Sequence, residues 1–356
     1  MSSALLDQMA DCLQGVKVVD LTRNLPGPFA TRLLADLGAQ IVKIEPPQGD
    51  PARAFGELFT ALNHGKDTQK VDFRDEAGIE AIKEQIKDAD VMLDSFRPGV
   101  LEATGLSADT LHSLNPKLVM VSITGYGHAD GEAVTHDWSQ KAGHDINFMA
   151  MSGVLDQLKT ADGGQAMPNI QFADLAGGSD TAVIALLAAV IAAKSTGKGR
   201  HINISMTHSL YHHMVMPKST GKLIEQMTGK KPVPQYDFLG GLLPCYRLYK
   251  TSDDRYMAVG SLELKFWQGL CEALELADLK NTHWQRGVLP NMPDSRAAMK
   301  TVAEKFASQP LSHWQQVFAD TDVCVTPVLT LAEAQQHPLF AHQDQYGATA
   351  GWQVVR

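Results

Sequence analysis

Two short stretches of the sequence place a histidine and carboxylates beside glycines. The first, AGHDINF at 142–148, carries His144 and Asp145, and the second, FADLAGGS at 172–179, carries Asp174. An imidazole and a carboxylate can each take up or release a proton near neutral pH once their surroundings tune them. The two stretches together predict a site for acid/base chemistry.

Asp174 stands just before a long apolar helix that the sequence predicts from about Ala176 to Lys194. The positive end of that helix and its free N–H groups could stabilise negative charge. Gly177 and Gly178 would allow another group to approach the backbone closely. An aspartate at this place is equally typical of a helix N-cap, so the residues alone leave both interpretations open.

Alternating strands and helices must position these side chains. Apolar runs predict strands, and helical spacing of apolar residues predicts the helices between them; the strands are Val16–Leu21, Ile41–Ile44, Val91–Leu93, Leu118–Ile123 and His201–Ser205. This alternation predicts an α/β fold with a parallel, doubly wound sheet, which binds ligands beyond the carboxyl ends of its strands. Arg97 follows one such end, although an arginine there is more often a plain surface charge.

The second half of the chain predicts another unit. Residues 217–243 are rich in Gly, Pro, Lys and polar residues, which is typical of a linker. Strands at Tyr246–Tyr249 and Tyr256–Val259 then flank a turn, and two helical stretches follow at Phe266–Leu274 and Arg296–Phe306.

Composition excludes several classes of protein. The formal net charge is -9 over 356 residues, which argues against a nucleic-acid or anionic-membrane partner. The four cysteines are scattered, so we expect neither a disulfide framework nor a zinc site, and a reducing, cytoplasmic location fits. The apolar run Thr181–Ala193 is shorter than the roughly 20 residues of a membrane-spanning helix.

Two other motifs are weaker. GYGHADG at 125–131 follows a strand but misplaces the third glycine of a dinucleotide-binding loop, so a flexible loop is the better interpretation. His208 and His212 have helical i, i+4 spacing, but no nearby acid completes a set of metal ligands.

The sequence resembles the CaiB/BaiF family, the family III coenzyme A transferases, over most of its length. The resemblance is carried by the block 20–50, by DVMLDSFRPG at 90–99, by the stretches around His144 and Asp174, and by DVCVTPV at 322–328. It implies a Rossmann-like large domain, a smaller α+β domain and an interlocked homodimer. The implied limits are 1–198 for the large domain, completed by 330–356, then 199–243 for a linker and 244–329 for the small domain with its return linker.

Within this family the sequence is most similar to the α-methylacyl-CoA racemase branch, which has a histidine at His144, an aspartate at Asp174 and a glutamate at Glu263. This resemblance implies a lipid-metabolic isomerase that moves the proton α to a thioester through an enolate. His144 and Asp174 would act on opposite sides of the carbon, and Asp145 and Glu263 would orient His144. It implies no metal and no tightly bound cofactor, since coenzyme A arrives as part of the substrate.

The coenzyme A contacts that we expect are Arg97 first, with Lys66 and Arg53 as further candidates. Two alternatives stay open. A coenzyme A transferase would use Asp174 as a nucleophile and form an aspartyl-CoA thioester. A non-catalytic CoA-binding protein would need none of the acid/base groups. The stretches at 46–47, 63–70 and 127–137 depart from the family pattern and leave the acyl group undetermined.

Overall fold

A computed structural model describes residues 9–129, 136–160, 163–229, 231, 233–234 and 237–340. Contacts group these residues into two compact units. The first comprises 9–154 and 168–213, and the second comprises 155–167 and 214–340.

The first unit contains a six-stranded sheet in which every strand is parallel to its neighbours. The strand order is β3-β2-β1-β4-β5-β6, which confirms the predicted α/β class. The chain reverses its winding direction between β1 and β4, and such a reversal opens a crevice at the carboxyl ends of the strands. The strands are β1 Lys17–Asp20, β2 Gln40–Glu45, β3 Asp67–Lys70, β4 Val91–Asp94, β5 Val119–Thr124 and β6 Arg200–Ser205.

Helices cover the buried strands of this sheet. Successive residues of a strand point to opposite faces, and Val18 and Val19 are both buried, so both faces of β1 are covered. One face of the sheet packs on α3. The buried isoleucines of α3 have helical spacing and belong to the same apolar cluster as Val19. The helices up to residue 157 are α1 Pro26–Asp36, α2 Glu57–Asn63, α3 Glu76–Lys87, α4 Val100–Ala103, α5 Ala108–Leu114, α6 His136–Ser139, α7 Asp145–Ser152 and α8 Val154–Gln157.

The long apolar helix begins earlier than the sequence predicts. It opens with a π-helical segment, Ala173–Asp180, and continues as α9, Thr181–Thr196. Asp174 therefore lies inside the first turn and not ahead of the helix. By length and composition, Ala173–Thr196 is long and apolar enough to span a membrane. Core helices share this property, and 44% of the most apolar 18-residue stretch of this helix is buried. The run Thr181–Ala193 is shorter than a membrane-spanning helix, but the whole helix that contains it is not.

The second unit has an antiparallel three-stranded sheet of order β7-β8-β9. Its strands are β7 Tyr246–Lys250, β8 Tyr256–Gly260 and β9 Val325–Pro327. Its core includes several large aromatic residues, of which Trp267, Phe306 and Trp314 are almost fully buried. The helices from residue 206 onward are α10 Met206–His213, which belongs to the first unit, and α11 Val215–Thr228, α12 Leu264–Ala273, α13 Pro293–Ala307, α14 Leu311–Phe318 and α15 Leu331–Gln336.

The predicted linker, 199–243, contains regular structure. Its first part forms β6 and α10 of the first unit, and residues 215–228 form α11. Pro217 is accommodated because it lies in the first turn of α11, where its missing N–H is not needed. Residues 330–340, expected to complete the large domain, group with the second unit, and 341–356 lie outside the described residues. The other domain limits stay predictions.

A buried ion cluster lies beneath the first helix. The Asp20 carboxylate accepts hydrogen bonds from the N–H of Thr22 at 2.9 Å and the hydroxyl of Thr31 at 2.6 Å. The Lys66 ammonium lies 3.5 Å from Asp20, and neither side chain is exposed. Burial alone would raise the pKa of Asp20, but the charges of Lys66 and Lys43 and the hydrogen bonds from Thr22 and Thr31 together outweigh burial and lower it. Asp20 therefore stays ionised and ties β1 to the start of α1.

We expect Asp20→Asn to lower the free energy of unfolding by about 3 kcal/mol or more at pH 7, because it leaves the Lys66 ammonium buried without its anion. Urea unfolding followed by circular dichroism measures this change. The control is Asp72→Asn, which breaks an exposed pair with Arg74 and should cost less than about 1 kcal/mol. Equal losses in both variants would contradict the role given to this cluster.

Candidate active site

A cavity of about 740 Å³ opens at the carboxyl edge of the parallel sheet, within the first unit. We call it the switch-point cavity, because loops after β1, β4 and β5 line it at the reversal of strand order. The start of α7 and the π-helix contribute further to its wall. Its polar lining residues include Arg23, Asn24, Ser95, Arg97, Thr124, His144, Asn147 and Asp174.

His144 immediately precedes α7 and has an exposed side chain. Its backbone N–H donates to Oδ1 of Asn147 at 3.1 Å, and its carbonyl accepts the N–H of Asn147 at 2.8 Å. These two bonds fix the backbone of His144 at the helix start and leave its imidazole facing the cavity.

Asp174 reaches the same cavity from the π-helix, so the structure brings the two predicted acid/base residues together at one site. Asp145 connects their two segments. Its Oδ1 accepts the N–H of Ala173 at 2.7 Å and the N–H of Asp174 at 3.0 Å. These are N–H groups that a helix start leaves without a helical partner. The N–H groups of Ala173 and Asp174 at this helix start are thus already bound and not free to stabilise negative charge.

The neighbouring carboxylates have unusual acidities. Burial, and then the negative charge of Asp145, raise the pKa of Asp174 from 3.8 to about 7. Burial also raises the pKa of Asp145, although its two N–H bonds oppose the change. A carboxyl group with a pKa near 7 is present in both protonation states at neutral pH, which is the property required of a general acid/base.

Two arginines line the cavity at its sheet side. Arg97 is exposed, and Arg23 is half-buried with its guanidinium 5.5 Å from the ring centre of Phe96. Arg97 is placed where a bound anion could meet it, and whether it contacts coenzyme A stays a prediction. Arg23 was not among the predicted contacts, because no pattern in its loop distinguishes it from other surface arginines.

The other two predicted coenzyme A contacts have internal partners. The Lys66 ammonium donates to the carbonyl of Pro28 at 2.8 Å and to the hydroxyl of Thr31 at 2.7 Å, and a contact with a ligand would need this cluster to open. Arg53 binds both carboxylate oxygens of Glu45, at 2.7 and 2.8 Å. Neither lines the switch-point cavity. In this structure both cations pair with internal groups, and their contact with coenzyme A stays a prediction.

Glu263 lies in the second unit, directly before α12, and its side chain is exposed. Its predicted role beside His144 stays a prediction. Asp145, the other candidate to orient His144, directs one carboxylate oxygen to the backbone of the π-helix. Among the described residues, no group of three His, Cys, Asp or Glu side chains could hold a metal ion.

Aromatic packing supports the His144 segment, and the sequence did not reveal it. The buried ring of Phe148 lies 5.1 Å from the ring of Tyr126, edge to face. A Cβ atom at Gly125 would lie 2.3 Å from the Phe148 ring, and one at Gly143 would lie 2.6 Å from it. These two glycines are therefore required for Phe148 to anchor α7.

Comparisons with known proteins give one family. The profile described as CoA-transferase family III matches residues 13–349. The chain is 33% identical to human alpha-methylacyl-CoA racemase over 330 residues, covering 91% of this chain and 80% of the relative. It is 30% identical to human succinyl-CoA:glutarate CoA-transferase, covering 93% and 74%. A crystal structure of a CaiB/BaiF family protein from Brucella suis matches with a TM-score of 0.75 at 28% identity, covering 93% and 87%.

We expect Asp174→Asn to raise the free energy of unfolding more at pH 8 than at pH 5, by about 2–3 kcal/mol. The folded-state pKa lies above the unfolded value, so the wild type loses stability as pH rises toward 7, whereas the amide does not titrate. Urea unfolding at both pH values measures the difference.

The control is the same substitution in an Asp145→Asn background, which keeps the acceptor oxygen and removes the neighbouring charge. The extra gain at pH 8 should shrink there. A gain that does not change with pH in the wild-type background would contradict the raised pKa of Asp174.

Proposed function

Since this chain belongs to CoA-transferase family III, the CaiB/BaiF family, and acts on acyl-CoA, we propose that it interconverts the two configurations at the α-carbon of a 2-methylacyl-CoA. The observation that carries the proposal is that His144 and Asp174 line one cavity from two different elements. Inversion at a carbon requires a proton to leave one side and return on the other. One acid/base group on each side of the carbon meets this requirement.

The proposed reaction begins with the thioester bound in the cavity and its α-carbon between the two groups. For one enantiomer, the Asp174 carboxylate removes the α-proton and the His144 imidazolium returns a proton on the opposite side. For the other enantiomer, the roles are exchanged. Both groups must be able to stand in either protonation state, and the pKa of Asp174 near 7 suits this exchange.

The second candidate is transfer of coenzyme A between carboxylic acids, and it is supported by the similarity to a CoA-transferase at 30% identity. In that reaction the Asp174 carboxylate attacks the thioester carbonyl and expels the coenzyme A thiolate. The thiolate then attacks the aspartyl carbonyl of the resulting anhydride, which releases the donor acid as its carboxylate and leaves an aspartyl-CoA thioester. The acceptor carboxylate takes coenzyme A from this thioester by the reverse sequence and regenerates Asp174. A nucleophilic carboxylate must be ionised, and the raised pKa of Asp174 lowers its ionised fraction at neutral pH. This acidity favours proton transfer.

The test uses His144→Gln and Asp174→Asn with each pure enantiomer of a 2-methylacyl-CoA in D₂O. Each variant should lose racemisation by at least about a hundredfold, because it lacks one of two required groups. Each should still exchange the α-proton of one enantiomer, and the two variants should retain opposite enantiomers. Mass spectrometry measures deuterium, and chiral chromatography measures inversion.

The matched control is Asp180→Asn, which changes an exposed carboxylate of the same π-helix. It should keep the wild-type rate. If both site variants racemise at the wild-type rate, the assignment is wrong; if they lose exchange with both enantiomers alike, two-sided proton transfer is wrong.

A further inference from the structure

The carboxylate of Asp94, which the proposed reaction does not use, closes the turn that carries Arg97. Asp94 ends β4 and is 1% exposed. Its Oδ1 accepts the N–H of Phe96 at 3.0 Å, and its Oδ2 accepts the hydroxyl of Ser122 at 2.6 Å. A carboxylate that binds its own backbone two residues onward fixes the turn between them.

The strand next to β4 ends in the same way. Asp20 closes β1 and accepts the N–H of Thr22, again two residues onward. The two turns are joined, because the N–H of Arg23 donates to the Ser95 hydroxyl at 3.1 Å. Both cavity arginines therefore follow a buried aspartate at the reversal of strand order.

The two aspartates differ in their electrostatic surroundings. Asp20 has a lysine partner, whereas Asp94 forms no ion pair with any described residue. The groups that face Asp94 are the Ser122 hydroxyl and, at longer range, the Glu102 carboxylate. Burial, with a smaller effect from Glu102, raises the pKa of Asp94 to about 6.

Beyond Ser122 lies a histidine pair. His201 Nε2 is 2.8 Å from the Ser122 hydroxyl, and its ring centre is 6.0 Å from that of His128. Burial, followed by the neighbouring His128, lowers the pKa of His201, while Glu102 opposes and His112 adds a small effect. Because the serine donates its proton to Asp94, the imidazole Nε2 must donate to the serine. A chain of three hydrogen bonds thus runs from His201 through Ser122 and Asp94 to the backbone of Phe96.

We propose that Asp94 is a positioning residue that holds Arg97 in place to bind the phosphates of coenzyme A. This inference rests on the proposed acyl-CoA substrate and concerns its binding, not the proton transfer. A guanidinium binds phosphate with two directed hydrogen bonds, so its affinity depends on the orientation of the turn that carries it. The Asp94 carboxylate, held by Ser122, sets that orientation.

The inference has a pH consequence. Protonation of Asp94 below about pH 6 turns one acceptor oxygen into a donor and weakens the turn. Coenzyme A should therefore bind less well at pH 5.5 than at pH 7.5. Titration of coenzyme A itself and of other groups also contributes to the loss of affinity at pH 5.5. A variant that cannot titrate at position 94 shows this contribution alone, so the difference from the wild type is the contribution of Asp94.

The test measures the Kd of coenzyme A by isothermal titration calorimetry. Asp94→Ala, which removes both acceptors, should weaken binding about tenfold at pH 7.5. Asp94→Asn keeps the Oδ1 acceptor, so we expect a roughly threefold loss there and a smaller further loss at pH 5.5 than in the wild type. The control is Ser107→Ala, which removes the N-cap of α5 in the same unit; it should lower Tm and leave the Kd unchanged.

A double-mutant cycle with Arg97→Gln tests whether Asp94 acts through Arg97. In the Arg97→Gln background, Asp94→Ala should weaken binding less than about threefold. If Asp94→Ala does not fold, Ser122→Ala takes its place with an expected loss of about threefold. Unchanged affinity in these variants, or an effect of Asp94→Ala that is as large without Arg97 as with it, overturns the inference.

The wild type distinguishes this inference from the proposed function. If it binds coenzyme A as expected but exchanges no α-proton, only the proposed reaction is refuted. If it binds no coenzyme A, both are refuted.

Discussion

The contact between the Asp145 carboxylate and the first N–H groups of the π-helix organises the candidate site. Asp145 belongs to the helix that follows His144, and the N–H groups that it accepts belong to Ala173 and Asp174. One interaction therefore sets where the two proposed acid/base groups stand. It also places the carboxyl groups of Asp145 and Asp174 side by side where both are partly buried. The pKa of Asp174 is raised to about 7 there. Burial is the larger cause of this pKa, and the charge of Asp145 adds to it. Removing that charge should lower the pKa of Asp174, while an amide at position 145 preserves the alignment.

The parallel sheet supplies the second constraint, because its change of winding direction between β1 and β4 brings two loops to one edge. Each loop begins at a buried aspartate that binds the backbone two residues onward. Asp20 is neutralised by lysine, so its turn stays closed across a wide pH range, whereas Asp94 is balanced only by hydrogen bonds. The fold thus combines an ion-paired support below α1 with a turn that is held by hydrogen bonds alone, and both lie beside the switch-point cavity.

The sequence predicted the central strands because their residues are buried and apolar, as in β4 and β5. It did not predict β3, whose four polar residues are all exposed and which pairs at the sheet edge through its backbone. The prediction of His144 and Asp174 came from residue types and resemblance, and the structure places both in one cavity. Spacing did not reveal that Lys66 and Arg53 have internal carbonyl and carboxylate partners, and their contact with coenzyme A stays a prediction. The early start of the long helix also depends on tertiary contacts, chiefly the cap from Asp145.

The central claim is that this chain moves the α-proton of an acyl-CoA between two sides of the carbon. The most direct measurement incubates the wild-type protein with one enantiomer of a 2-methylacyl-CoA in D₂O, without any free acid, and follows mass and configuration together. We expect deuterium to enter the α-carbon and both enantiomers to accumulate. Absence of deuterium, together with transfer of coenzyme A to a free acid once one is added, would contradict it and establish the transferase reaction in its place.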